Sequence, residues 1–226
     1  MKAKFGAIVV DGRGKLGGHV FSKNAAGSYM RTKTTPSNPQ TSYQTAVRAL
    51  FASISAGWSS LTEGVRNAWN SAVDDWQKTN VFGDLKKPTG KALYQRLNNQ
   101  AQSAGWNAVA TPPARQDLPD AVVTAVNYIV DAPSLTLVGA DVQASTRIML
   151  FATPVLSDGT TFVKNKLRNI SNQLANAYDP AVAAAAYTAK FGTPPSETNI
   201  YFGIKYVLAT GQASPMQIIK GNITEL

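Results

Sequence analysis

The sequence contains no cysteine and one histidine, His19, among its 226 residues. Without cysteine there is no disulfide, no thiolate nucleophile and no cysteine-ligated zinc site. With one histidine, a metal site built on two or three histidines is impossible within one chain. Acids are scarce: 13 Asp and Glu stand against 22 Lys and Arg, a net charge of +9. Long apolar runs are missing as well, and none reaches the roughly 18 residues that a membrane span requires. The opening Met1-Lys2-Ala3-Lys4-Phe5-Gly6 leads only into Ala7-Ile8-Val9-Val10, which Asp11 closes. That run is too short for the apolar part of a signal peptide. The expectation is a protein made in the cytoplasm, with no membrane partner and no secretion by the usual route.

What is present is enough apolar material, 44% of residues, to build a real core. The positive charge is uneven. Residues 1–33 carry Lys2, Lys4, Arg13, Lys15, Lys23, Arg31 and Lys33 against Asp11 alone, a surplus of six out of the chain's nine. This stretch reads as short strands and turns: a β-rich Phe5 to Val10, a glycine-rich turn from Gly12 to Gly18, then strands over His19–Lys23 and Ser28–Lys33. Phe5, Leu16, Phe21, Tyr29 and Met30 are most of its large apolar groups, too few for a core of its own. Residues 1–35 are therefore expected to form a basic β arm that lies against something else. Thr34-Thr35-Pro36-Ser37-Asn38-Pro39 is an extended linker, since each proline disfavours helix at itself and just before it.

Residues 40–108 read as a helical domain. Tyr43, Val47, Leu50, Phe51, Ile54, Trp58 and Leu61 recur at spacings of three and four, one apolar helix face. Ser60-Leu61-Thr62-Glu63 has capping-box spacing and should start a second helix, with Val65, Ala68, Trp69, Ala72, Val73 and Trp76 on its apolar side. Asn80 to Pro88 reads as a loop. Thr89 can cap a third helix carrying Ala92, Leu93, Leu97 and Ala101, and Gly105 ends it. Residues 110–119, with three prolines, form a second linker and the best domain boundary.

Residues 118–226 read mainly as β. Val122–Val130, Ser134–Leu137, Arg147–Ala152, Asn199–Leu208 and Met216–Ile219 are strand-like. Ile200, Phe202, Ile204, Tyr206 and Leu208 alternate with the period of a half-buried strand. Asp179-Pro180 followed by an alanine run predicts a short helix, ended by Phe191-Gly192. The expected class is α+β: a basic N-terminal β arm, a helical hairpin plus third helix, and a C-terminal immunoglobulin- or fibronectin-like β-sandwich.

No constellation of catalytic residues emerges. Gly12-x-Gly14-x-x-Gly17 matches the dinucleotide fingerprint, but a β-like stretch follows where a helix is needed, and Arg31 and Lys33 stand where an acid should. His19 would have to serve any Ser-His-Asp triad, yet no G-x-S-x-G elbow accompanies it. Asp74-Asp75 is the one adjacent acidic pair, and helical neighbours point about 100° apart, so a solvated face is the better reading. Trp58, Trp69 and Trp76 sit at helical core spacing with few arginines nearby, which favours packing over base stacking. The chain is accordingly expected not to be an enzyme, with no cofactor and no small-molecule substrate. The basic arm remains, and its alternating pattern suits a strand-adding arm on a neighbouring subunit better than a disordered tail on DNA. Lys4, Arg13, Lys15, Lys23, Tyr29, Arg31 and Lys33 are its candidate interface residues.

Several stretches carry a resemblance. They are Gly27-Ser28-Tyr29-Met30-Arg31-Thr32-Lys33-Thr34-Thr35-Pro36-Ser37-Asn38-Pro39-Gln40-Thr41, then Val47-Arg48-Ala49-Leu50-Phe51, Trp58-Ser59-Ser60-Leu61-Thr62 and Arg66-Asn67-Ala68-Trp69. In the second half they are Phe151-Ala152-Thr153-Pro154-Val155-Leu156-Ser157-Asp158-Gly159 and Thr210-Gly211-Gln212-Ala213-Ser214-Pro215. Together these resemble uncharacterised structural proteins of tailed bacteriophages and prophages, including crAss-like phages of gut Bacteroidetes. The resemblance implies a virion component (ring, neck, head-tail connector, tail or accessory capsid protein) whose partners are other copies of itself and other virion proteins. It carries no catalytic residues. The alternative is a packaging protein that holds nucleic acid with the basic arm. A carbohydrate-binding or depolymerising tail protein would need an acid pair or an exposed aromatic strip, and neither is seen.

Overall fold

The computed structural model describes residues 2–3, 12–25, 27–116, 118, 122–139 and 145–225. The chain is α+β, with four α-helices among the described residues and a large curled sheet. The expected strand over Phe5–Val10, and Lys4 with it, lies outside the described residues.

The N-terminal strands β1 (Lys2–Ala3), β2 (Gly14–Leu16), β3 (His19–Asn24) and β4 (Gly27–Thr32) make a small antiparallel sheet in the order β1-β4-β3-β2. Half of the predicted glycine turn is thus strand β2. The reversal is confined to Gly17-Gly18, where Gly17 takes φ +55°, a value that suits glycine. Thr34 to Gln40 follows without regular structure and fully exposed.

Helix α1 (Ser42–Ser60) starts on Thr41, whose hydroxyl accepts from the Gln44 N–H at 3.3 Å. Helix α2 (Glu63–Ser71) starts on Thr62, so the expected Ser60 capping box does not form, and its last turn tightens into a 3₁₀ segment over Ala72–Trp76. The expected loop over 80–88 forms the turn and second strand of a two-strand ribbon, β5 (Lys78–Thr79) with β6 (Leu85–Lys86), tied by Asn80, whose side-chain carbonyl oxygen accepts from the Phe82 and Asp84 amides. Helix α3 (Gly90–Ser103) is capped by Thr89 as predicted, and Gly105 at φ +90° follows its end. The helical core comprises Ile54, Trp69, Val73, Trp76, Leu93, Tyr94 and Leu97. Trp69 is fully buried, as its spacing predicts. Ile54 and, at the margin, Leu50 of α1 belong to its cluster, its ring meets Tyr94 edge-on at 5.3 Å, and Phe51 is 49% exposed.

The second half is one six-stranded sheet in the order β10-β9-β11-β12-β7-β8. The strands are β7 (Ala125–Ile129), β8 (Ser134–Val138), β9 (Thr146–Ala152), β10 (Arg168–Leu174), β11 (Tyr201–Leu208) and β12 (Gln217–Thr224). All neighbours are antiparallel except β12 and β7. The expected two-sheet sandwich takes a different form here, because β12 belongs to both halves. Gln217–Lys220 pairs with β11, and Gly221–Thr224 pairs with β7. The change of partner falls at Gly221, where an added Cβ would lie 2.4 Å from the Phe202 ring. Only glycine lets the strand bend over that ring. Helix α4 (Pro180–Phe191) then packs against β8 and β10, the two free edges of the curl. Asp179 caps it by accepting from the Ala181 and Val182 amides, and Gly192 at φ +84° ends it. Ala183, Ala184 and Tyr187 of α4 complete the main core with Val126, Tyr128, Leu135, Ile148, Leu150, Ile200, Phe202, Ile204 and Tyr206. Tyr187 stands against Tyr128, Phe191 and Phe202 at centroid distances of 5.5, 5.2 and 6.1 Å.

A third cluster, Ala104, Met149 and Val207 with Trp106, Phe151 and Ala213 around it, joins the helices to the outer face of the sheet. The Trp106 indole donates to the Val207 carbonyl at 3.0 Å, and Arg147 lies 4.8 Å from its ring. The proline-rich segment after α3 is bonded on both sides. The Ala110 carbonyl accepts from the Trp69 indole, and Gln212 accepts from the Gln116 amide while donating to the Ala114 carbonyl.

Candidate functional site

Alternation along the paired strands sorts the arm sheet into two faces. Phe21 lies opposite Met30, and Leu16 opposite His19, so Leu16, His19, Phe21, Lys23 and Met30 share one face. Lys15 lies opposite Val20, Val20 opposite Arg31, and Ser22 opposite Tyr29, which puts Lys15, Val20, Arg31 and Tyr29 on the other. One face is thus more apolar and the other basic and aromatic. Of the predicted interface residues, Lys15, Tyr29 and Arg31 come together on the basic face, and Lys23 lies on the opposite one. Arg13 precedes β2 and is exposed; Lys33 follows β4, its amide bonded to the Gly18 carbonyl at 2.8 Å. Among the described residues the sheet's contacts are chiefly between its own strands; Leu16 is 69% exposed, while Phe21 and Met30 are half-buried.

An uncovered apolar surface on α1 is invisible in the sequence. The apolar face of α1 is buried only in its C-terminal half. Ile54 is 2% exposed, whereas Tyr43 and Phe51 are 69% and 49% exposed, and Val47 is exposed as well. The cause is geometric: at ~1.5 Å per residue, α1 is about 28 Å long, and α3 and the end of the α2 region support only part of it. Its free half overhangs the outer face of the sheet and encloses a groove of about 570 Å³. Tyr43, Val47 and Leu50 line one wall, Met149 and Phe151 the other. Lys190 and Lys205 stand in this groove, and no acid lines it among the described residues. Lys190 donates to the Asn169 carbonyl at 2.6 Å. Burial, and then the charge of Arg96, hold the Lys205 ammonium below the ordinary lysine range.

The remaining candidates fall as follows. His19 is exposed on β3. The Gly12-x-Gly14-x-x-Gly17 turn feeds β3 rather than a helix, so no helix N-terminus faces it. Asp74 and Asp75 are exposed in the 3₁₀ turn, where Asp74 pairs with Lys87. Trp76 is buried like Trp69, and Arg96 lies over its ring at 5.2 Å. No helix is long and apolar enough to cross a membrane among the described residues. No protein-family model, no curated protein and no solved structure matches the chain.

Proposed function

We propose that the chain is a structural protein of a bacteriophage virion, a ring, neck, tail or accessory capsid component that acts through interfaces with copies of itself and with other virion proteins. The observation that carries this reading is the uncovered apolar stripe Tyr43/Val47/Phe51 of α1. Large uncovered apolar surface is costly in an isolated protein, and repetition around a closed ring covers each patch with another. On this reading the linker over 34–40 swings the arm onto a neighbour, with Lys4, Arg13, Lys15, Lys23, Tyr29, Arg31 and Lys33 at its contact surfaces. The curled sheet is read as an immunoglobulin-type domain in which α4 takes the place of strands on one side. The parallel pairing of its last strand with its first supports that reading.

Removing residues 1–35 tests the proposal. The truncated protein is expected to keep its circular dichroism and lose its assembly by light scattering. Unfolding on truncation would put the arm in its own chain's core, and normal assembly would remove it as the docking element. A second reading, a packaging protein gripping nucleic acid with the arm, draws on Lys15, Arg31 and Tyr29 sharing one face. A wild-type salt dependence after Lys15→Gln/Arg31→Gln would dismiss it.

A further inference from the structure

Two cavities lie side by side around the end of the α2 region, the β5-β6 ribbon and α3. One, of about 280 Å³, is lined by Lys78, Arg96, Arg115 and Trp76 among others. Its neighbour, of about 350 Å³, is lined by Lys78, Arg96, Lys86, Lys87 and again Trp76. Lys78 and Arg96 belong to both, so the basic groups fall in sequence: Lys86 and Lys87, then Lys78 and Arg96, then Arg115. Among the described residues neither lining contains an acid. Arg96 lies over the Trp76 ring, its Cζ 5.2 Å from the centroid, a cation–π contact. Arg115 is anchored by an Nη1–H bond to the Asp75 carbonyl at 2.9 Å, and Lys87 is shared with Asp74. The crowding has an electrostatic signature. Arg96, burial and Arg115, in that order, hold the Lys78 ammonium below its ordinary range, and burial and then Arg115 lower that of Arg96.

We propose that this track of cations binds the phosphodiester backbone of a nucleic acid. Mutually repelling cations gathered along two neighbouring cavities, with no acid among the described lining residues, are stabilised by anions that arrive singly at successive positions, and a phosphate backbone supplies such a series. The hairpin tip at Ala25 also lines the second cavity, which brings the arm alongside the track. Phosphate contacts of this kind position a strand without reading its sequence. The site is in the body of the protein and uses none of the arm's predicted residues, so the inference stands independently of the assembly reading.

The test is fluorescence anisotropy on the full chain with a labelled single-stranded oligonucleotide and its duplex, across a salt series. Lys78→Gln/Lys86→Gln is expected to weaken binding on the order of tenfold and to lower the slope of log K against log[salt] by about 1.5, since each phosphate left without its cation takes away roughly 0.7–0.9. Arg96→Gln is expected to weaken binding likewise, with a thermal melt to check that its seat on Trp76 is not needed for folding. Lys164→Gln/Lys166→Gln, an equal charge change in the loop before β10, is expected to have little effect. Three results would each overturn the proposal: wild-type affinity and slope in the Lys78/Lys86 variant, an equal loss in the Lys164/Lys166 control, or competition by poly-glutamate as strong as by unlabelled DNA, which would assign the track to an acidic protein segment.

Discussion

Trp69→Ala removes the largest fully buried side chain of the helical half. The indole meets Tyr94 edge-on and packs in the cluster of Ile54, Val73, Leu93 and Leu97. Deleting a large core aromatic costs about 3–5 kcal/mol, through reduced burial and the cavity left behind. The indole N–H also donates to the Ala110 carbonyl at 2.9 Å, and losing that bond adds roughly 1 kcal/mol. For a chain of this size, 1 kcal/mol is worth about 2–4 °C, so a loss of about 4–6 kcal/mol lowers Tm by roughly 8–24 °C. Trp69→Phe separates the two contributions. It keeps a ring beside Tyr94 and drops the hydrogen bond, and is expected to lose only about 1–2 kcal/mol. Thermal melts followed by far-ultraviolet circular dichroism measure both. A shift of about a degree for Trp69→Ala would refute the packing described and free the aromatic face for a binding role.

Two further outcomes are expected. Gly211→Ala should lower stability by at least ~2 kcal/mol, since φ is +77° and the new Cβ would lie 2.0 Å from the Leu97 carbonyl oxygen. Faster proteolysis between the helical and β halves would report it, and wild-type resistance would mean that the two halves do not meet there. Lys205→Met should raise Tm at neutral pH. Because the folded pKa of Lys205 lies below its ordinary 10.5, the unfolded chain binds more protons between the two values, and wild-type stability rises with pH through that window. The advantage of the variant should therefore shrink as pH climbs toward 10.5, and a less stable variant at neutral pH would show that the ammonium is paired.

Much of the helical half is legible in the sequence because capping and periodicity are local. Thr89, Gly105, Asp179 and Gly192 mark helix ends in sequence and structure alike. Periodicity does not say how far a supporting helix reaches, which is why the seven apolar positions from Tyr43 to Leu61 read as one face although Tyr43, Val47 and Phe51 are exposed. Strand β10, Arg168–Leu174, escapes a sequence reading because its polar residues resemble a loop; it forms as an edge strand on β9 and holds α4 through Gln173, which bonds the Asp179 backbone. The curl is hidden too, since it depends on Gly221 meeting Phe202 across the sheet. The basic track is illegible for a similar reason. Lys78, Lys86, Arg96 and Arg115 are spread over 38 positions, and each alone looks like an ordinary surface charge.

Self-association through surfaces that one chain leaves open is the central claim. Sedimentation velocity of the full chain, beside Tyr43→Ser/Phe51→Ser, tests it most directly. Both substitutions fall on exposed positions, so the variant is expected to fold. The wild type is expected to sediment as one discrete closed oligomer and the double variant as a folded monomer. A wild type that stays monomeric at every concentration, or a double variant that assembles like the wild type, would contradict it.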